Sequence, residues 1–202
     1  MCMGVGSAFG PAVGSLISQA FSLNVLFYVS SVFALLSIVI LLNMKETLKE
    51  KEPLTLNTFK LKWEDVFEPA VLSPALVTFL AYFSYGAVST LTPDFSGYLG
   101  LGNRGVYFMV FTLFSILVRL LAGKISDKHG RIPVTMVGCF MLIISMFLTG
   151  YAESVPMFLG GAAFFGIAMG ILSPVLTAWT VDLSADHNRG RALATMYISL
   201  EA

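Results

Sequence analysis

Five stretches of this chain carry no charged side chain at all: residues 1–44, 69–93, 105–118, 132–152 and 154–181. About 20 apolar residues of helix cross a hydrocarbon core of ~30 Å. A single charge at mid-span costs roughly 2.5–3.5 kcal/mol on insertion scales, so windows of this kind are what a membrane-spanning chain must keep. Composition points the same way. Of 202 residues, 56% are hydrophobic and 12% charged, against about 45–50% and 25% in soluble domains, and mean hydropathy is +0.82. Twelve basic and twelve acidic residues cancel, leaving no net field to gather nucleic acid or anions from a distance. A disordered chain, a nucleic-acid binder and an ordinary cytosolic enzyme are excluded. Cys2 and Cys139 sit in apolar stretches with no CxxC spacing, so no disulfide framework, metal site or cofactor is expected. The expected partner is the lipid bilayer.

The first window is too long for one crossing, because 44 residues of helix would reach about 66 Å. A break is expected at Phe21-Ser22-Leu23-Asn24, where Ser22 or Asn24 can cap the next helix. The predicted spans are about 3–21, 24–43, 70–92, 104–122, 132–150 and 156–181, with another starting near 191. An isolated apolar segment in lipid must satisfy its backbone internally, which makes these helices. The expected class is therefore all-α, a polytopic transmembrane helix bundle. No basic region precedes the first apolar run, so a cleaved leader is not expected.

Basic residues set the orientation. Lys45, Lys49, Lys51, Lys60 and Lys62, then Arg119, Lys124, Lys128 and Arg131, then Arg189 and Arg191, fall on alternate turns of the zigzag. These share one side, and only Arg104 lies opposite. The positive-inside rule makes the charged side cytoplasmic, in a cell (inner or plasma) membrane. Both ends look unfinished, since Met1 enters an apolar run directly and the last span stops at Ala202, about half a crossing after Arg191. A fragment of a longer protein is expected, divided as residues 1–43, a linker at 44–69 and residues 70–202. The linker reads equally well as an interfacial segment bearing Trp63 and Phe67 or as a solvated connection.

Two local patterns stand out. Gly6, Gly10 and Gly14 recur every fourth residue with Pro11 beside the second, which on spacing alone is a small-residue packing seam. The segment Gly123-Lys124-Ile125-Ser126-Asp127-Lys128-His129-Gly130-Arg131 has the length of a tight turn, with one acid among basic residues.

Taken together these segments resemble the major facilitator superfamily of secondary transporters. That family carries Gly-x-x-x-Asp-Arg/Lys-x-Gly-Arg/Lys-Arg/Lys between its second and third helices, with a weaker copy between the eighth and ninth. Gly123, Asp127, Lys128, Gly130 and Arg131 match it, while Ile132 replaces the last basic residue. The family's antiporters carry Gly-Pro-x-x-Gly-Gly on the fifth helix. Gly10, Pro11 and Gly14 match this and Gly6 precedes them, but Ser15 replaces the final glycine. Arg189-Gly190-Arg191 resembles the basic turn before the eleventh helix. The resemblance covers the whole chain as the fifth through early eleventh of about twelve helices, with residues 1–43 closing one bundle and 70–202 opening the other. It implies transport of a small solute by alternating access, with proton coupling as one option and the remaining helices of the full-length protein as partners. It also implies that Asp127 belongs to a cytoplasmic latch, pairing with the first span's cytoplasmic end, with Arg131, or with Arg189 and Arg191. Such a latch would be worth about 1–3 kcal/mol.

A polar stripe runs along span 70–92: Thr78, Tyr82, Tyr85, Ser89 and Thr92 fall within roughly an 80° arc. Gly166, Gly170, Ser173, Thr177 and Thr180 make a second face, with Pro174 expected to bend it. The resemblance implies that both helices line a central cavity, so Tyr82, Tyr85, Ser89, Thr92, Ser173 and Thr177 are the expected substrate-pathway residues. Packing against neighbouring helices is the other reading of these faces. Gly100-Leu101-Gly102-Asn103-Arg104-Gly105 spells GxGxxG, but it follows a membrane helix rather than a strand and is rejected as a dinucleotide site. Glu201, the one acid inside a late helix, reads either as a proton site or as a chain-end residue. A small homodimeric carrier and a non-transporting membrane scaffold are the alternative functions.

Overall fold

The computed structural model describes residues 10, 13, 14, 16–18, 20–42 and 66–202. Gly6, Pro11, the first span's other masked positions and the linker from 43 to 65 lie outside the described residues. Gly10 and Gly14 are helical. Space is open around Gly10, and a Cβ on Gly14 would lie 3.7 Å from the Leu26 side chain.

Six helices follow. They are α1 (Leu23–Leu42), α2 (Leu72–Tyr98), α3 (Val106–His129), α4 (Arg131–Gly150), α5 (Val155–Leu183) and α6 (Arg189–Glu201), and no strand occurs among the described residues. The first five are long and apolar enough to cross a membrane. Ser22 Oγ accepts from the Val25 N–H at 3.4 Å, as expected of a cap at the predicted break. None of α1's residues is buried.

Helices α2 to α6 form the packed body, and α5 is its hub. It packs extensively on α3 and α4 and also touches α2 and α6. Its buried residues point in every direction, from Phe158 and Gly161 through Leu172 to Thr180, as a helix surrounded by others requires. Facing it, α3 buries Tyr107, Phe111, Ser115, Ala122 and Ser126, and α4 buries Val134, Gly138, Leu142 and Ser145. These are the three- and four-residue spacings of a single helical stripe. The remaining faces display large apolar side chains, among them Leu72, Leu76, Leu80 and Phe83 on α2. In water such a surface would be a liability; in hydrocarbon it is the ordinary exterior.

Glycine is what lets the hub come close. A Cβ on Gly166 would collide with the Phe111 carbonyl oxygen, and one on Gly170 would sit 2.8 Å from the Ser115 carbonyl oxygen. Gly161 lies against Thr149 in the same way, and a Cβ on Gly138 would lie 2.8 Å from Leu172. Ser145 Oγ donates to the Gly161 carbonyl at 2.9 Å, an interhelical bond that the short approach permits. Gly166 and Gly170, which the sequence groups with a polar face, are therefore the α5 positions that meet the α3 backbone.

Two boundaries differ by several residues from the sequence reading. Helix α2 runs through Pro93 to Tyr98 instead of ending at 92, because a backbone in lipid gains by continuing its own bonds past one missing donor. It ends where Gly100 adopts φ 75 and the Leu101 N–H reaches the Ser96 carbonyl at 3.0 Å, a Schellman-type stop. The first glycine of the rejected GxGxxG is thus a helix cap. Helix α3 continues to His129, so the expected turn from 123 to 131 contracts to Gly130 alone, at φ 91, a backbone region glycine enters at little cost.

Gly166→Ala in the full-length protein is expected to lower thermal stability by about 1–3 kcal/mol through overpacking. Gly160→Ala, where space is open, should stay within about 0.5 kcal/mol. Melting curves in detergent compare the two directly.

Candidate functional site

A cavity of about 380 Å³ opens between α2, α3, α5 and α6, within the size range of small-molecule sites. From α2 it takes Thr78, Tyr82 and Tyr85, and from α5 Ser173 and Thr177. The two sequence-derived stripes therefore meet in space. Ser89 and Thr92 are not among its lining residues. Thr92 is buried, and Ser89 Oγ donates to the Gly86 carbonyl at 3.0 Å. They sit one to two turns beyond Tyr85, and there the α2 stripe has left the cavity.

The tyrosines are held by aromatic packing. Tyr85 stacks on Phe165 with centroids 6.1 Å apart and lies 6.3 Å from Phe111, while Tyr82 is 5.9 Å from Tyr85. Thr78 and Thr177 turn their hydroxyl protons back to the Pro74 and Ser173 carbonyls. Apolar walls come from Phe111, Met169, Leu176 and Met196.

Sequence reasoning missed Arg119. The sequence places it among the basic residues of a cytoplasmic turn, but α3 continues ten residues beyond it, to His129, which places it about 15 Å inside the helix end. Arg119 lines this cavity and a second, more open one of about 570 Å³ that runs along α5 to Asp182. A cation at such depth is costly and belongs against protein or water. The missed signal was its place in the helical period: Thr112, Ser115 and Arg119 are spaced by three and four residues and all face the cavity. Glu201 also lines it.

Two ion-pair clusters lie at the helix ends rich in basic residues. Arg131 Nε donates to Asp182 Oδ2 at 2.7 Å, and its Nη1 donates to Asp127 Oδ1 at 2.6 Å and to Ser126 Oγ at 3.0 Å. The cluster ties α3, α4 and α5 around the Gly130 turn. The acid side chains are 66% and 51% exposed, so each pair is worth no more than about 1 kcal/mol, below the sequence-based figure. Gly123 has open space around it, Lys128 is exposed and Arg189 is exposed at the start of α6.

Arg191 does not meet Asp127 as one expectation had it. Its Nη2 and Nε both donate to Glu68 Oε2, at 2.5 and 3.0 Å. The Glu68 N–H donates to Thr195 Oγ1 at 2.9 Å, and that hydroxyl in turn lies 3.0 Å from the Val66 carbonyl. The segment entering α2 is thereby fixed to α6. The hydrogen bond from Arg191 holds the Glu68 carboxyl below its ordinary value, outweighing the opposing effect of burial.

A sequence model described as Major Facilitator Superfamily matches residues 1–201. Among curated relatives, Multidrug resistance protein 1 of Bacillus subtilis is 29% identical over 120 residues, 58% of this chain and 31% of that protein. Multidrug resistance protein MdtL of Salmonella dublin is 31% identical over 91 residues, 45% of this chain and 23% of that protein. Quinolone resistance protein NorA of Staphylococcus aureus is 22% identical over 120 residues, 58% and 31% respectively. The matched part thus spans less than a third of each relative's length.

The Glu68–Arg191 pair makes stability depend on pH with a definite sign. A depressed carboxyl contributes fully above its ordinary value of 4.5, and the contribution is lost as pH falls through the lower folded-state value. Glu68→Gln in the full-length protein is expected to melt below wild type at pH 7, with the gap narrowing once pH drops under 4.5. A gap of constant size across that range would contradict the ion-pair account.

Proposed function

Because this chain belongs to the Major Facilitator Superfamily and is a multi-pass membrane protein, we propose that it is part of a secondary transporter of the efflux type that moves small solutes by alternating access. The observation that carries the reading is the cavity at membrane depth, where the α2 and α5 stripes converge. Relatives named for multidrug and quinolone resistance support export of small toxic compounds as its task. In this reading residues 1–43 close one helical bundle, 44–69 link it to the next on the cytoplasmic side, and 70–202 open the second. The basic loops lie in the cytoplasm, following the positive-inside rule. Solute enters between the bundles and meets Tyr82, Tyr85, Ser173 and Thr177. A proton gradient drives the cycle.

The Arg131–Asp127–Asp182 cluster is this half's share of the cytoplasmic latch. It joins three helix ends into one rigid edge, against which the other bundle closes. Glycine at 130 allows the reversal that brings Arg131 back over Asp127.

The transport reading is tested with the full-length protein in proteoliposomes under an imposed proton gradient, assayed against a panel of structurally unrelated toxic compounds; gradient-independent leakage alone would count against it. For the latch, Asp127→Ala is expected to change the inward-to-outward ratio up to roughly fivefold, the equivalent of about 1 kcal/mol. Arg131→Ala, which loses both acids at once, should change it more. Labelling of cytoplasmic cysteines reads the ratio, and unchanged accessibility in both variants would remove the latch role.

A further inference from the structure

Arg119 is a guanidinium inside a membrane helix whose charge is not matched within the described residues. Its Nε is buried with no hydrogen-bond partner, while Asp127 and Asp182 pair with Arg131 and Glu68 pairs with Arg191. Glu201, the carboxylate of the same cavity, is exposed at the end of α6 and forms no ion pair with it. Tyr82 and Ser173 line the same cavity as Arg119. Arg119, Ser173 and Thr177 line both cavities, so the cation stands where the enclosed space meets the more open one leading to Asp182.

A guanidinium presents five donors in a fixed fork and no acceptor. Its flat, forked donors match a carboxylate, sulfonate or phosphate in two-point contact. Around it, Phe111, Met169 and Leu176 offer an apolar wall, and hydroxyls at Ser173 and Thr177 supply secondary polar contacts. This combination discriminates by charge. A cationic solute would be repelled at close range, while an amphipathic anion would satisfy both the charge and the wall.

We propose that the cavity takes organic anions, an aromatic or aliphatic body bearing one acidic group, and that Arg119 binds that group. The inference deepens the transporter reading and rests on it for the cavity being a solute site. It separates this chain from a carrier selecting lipophilic cations.

The test uses purified full-length protein in detergent and three probes of matched shape: 2-naphthoate, 2-naphthylmethanol and 2-naphthylmethylammonium, each followed by equilibrium dialysis. Wild type is expected to bind the carboxylate at least tenfold more tightly than the ammonium. Arg119→Gln should weaken carboxylate binding at least tenfold and leave the alcohol within threefold. Arg119→Lys should fall between, since an ammonium keeps the charge without the fork. Preference of the wild type for the ammonium, or failure to bind the carboxylate, overturns the proposal. So does Arg119→Gln weakening carboxylate and alcohol alike, which marks a structural role, or changing neither, which marks a guanidinium neutralised elsewhere in the full-length protein. If Arg119→Gln does not fold, the wild-type ratio and the lysine variant still decide. Flux of a cationic dye through proteoliposomes with no anion preference would end this inference and keep the transporter reading; Arg119-dependent anion binding without any flux would do the reverse.

Discussion

Close contact between backbones is the constraint on which this bundle depends. Lipid offers helices no hydrophobic gain for leaving it, so association rests on van der Waals packing and on interhelical hydrogen bonds. Both require short approach, and α5 supplies it. At Gly161, Gly166 and Gly170 neighbouring helices occupy the volume a Cβ would need, and at Gly138 the α4 backbone meets Leu172 in the same manner. The Ser145–Gly161 bond and the Tyr107–Thr149 contact at 3.2 Å lie along these seams. Larger side chains at those sites would push α3 and α4 outward, and the aromatic cluster of Tyr107, Phe158 and Phe165 would lose its walls.

The same tight seam opens the cavity. On α5 the glycine face turns toward α3, while Ser173 and Thr177, on the following turns, turn toward α2 and α6. Helix α2 meets α5 through Tyr85 on Phe165 and Phe95 on Phe158, and the cavity lies beside the tyrosines. Tyr85, braced by Phe165 and Phe111, is a fixed wall. Arg119 enters that space from α3, so the solute chemistry is governed by one charge surrounded by apolar and hydroxyl groups.

Much of this was readable along the chain. The spans follow from where charges are missing, and the α2 stripe from Thr78 to Tyr85 follows from a period of 3.6. The Gly130 turn and its Asp127–Arg131 pair lay within a recognisable loop pattern. Boundaries failed where a local rule met the membrane: Pro93 should stop a helix, and the basic run after 119 should mark a loop, yet both stretches remain helical. Hydrocarbon penalises an open backbone more heavily than either signal counts. Ser89 and Thr92 continue the α2 stripe in sequence but not the cavity: beyond Tyr85 the helices close, with Thr92 buried and Phe95 packed on Phe158.

The amino-acid sequence alone determined that this chain lives in a bilayer, that its elements are helices, and which face of α2 is polar. These are consequences of solvent and periodicity, which act on each segment separately. Only the tertiary structure decided which charges share a partner. Arg191 goes to Glu68, Arg131 to two acids on different helices, and Arg119 into the cavity. Such pairings depend on distances of 2.5 to 3.0 Å between residues up to 123 positions apart, and those distances exist only once the glycine seams have set how closely the helices approach.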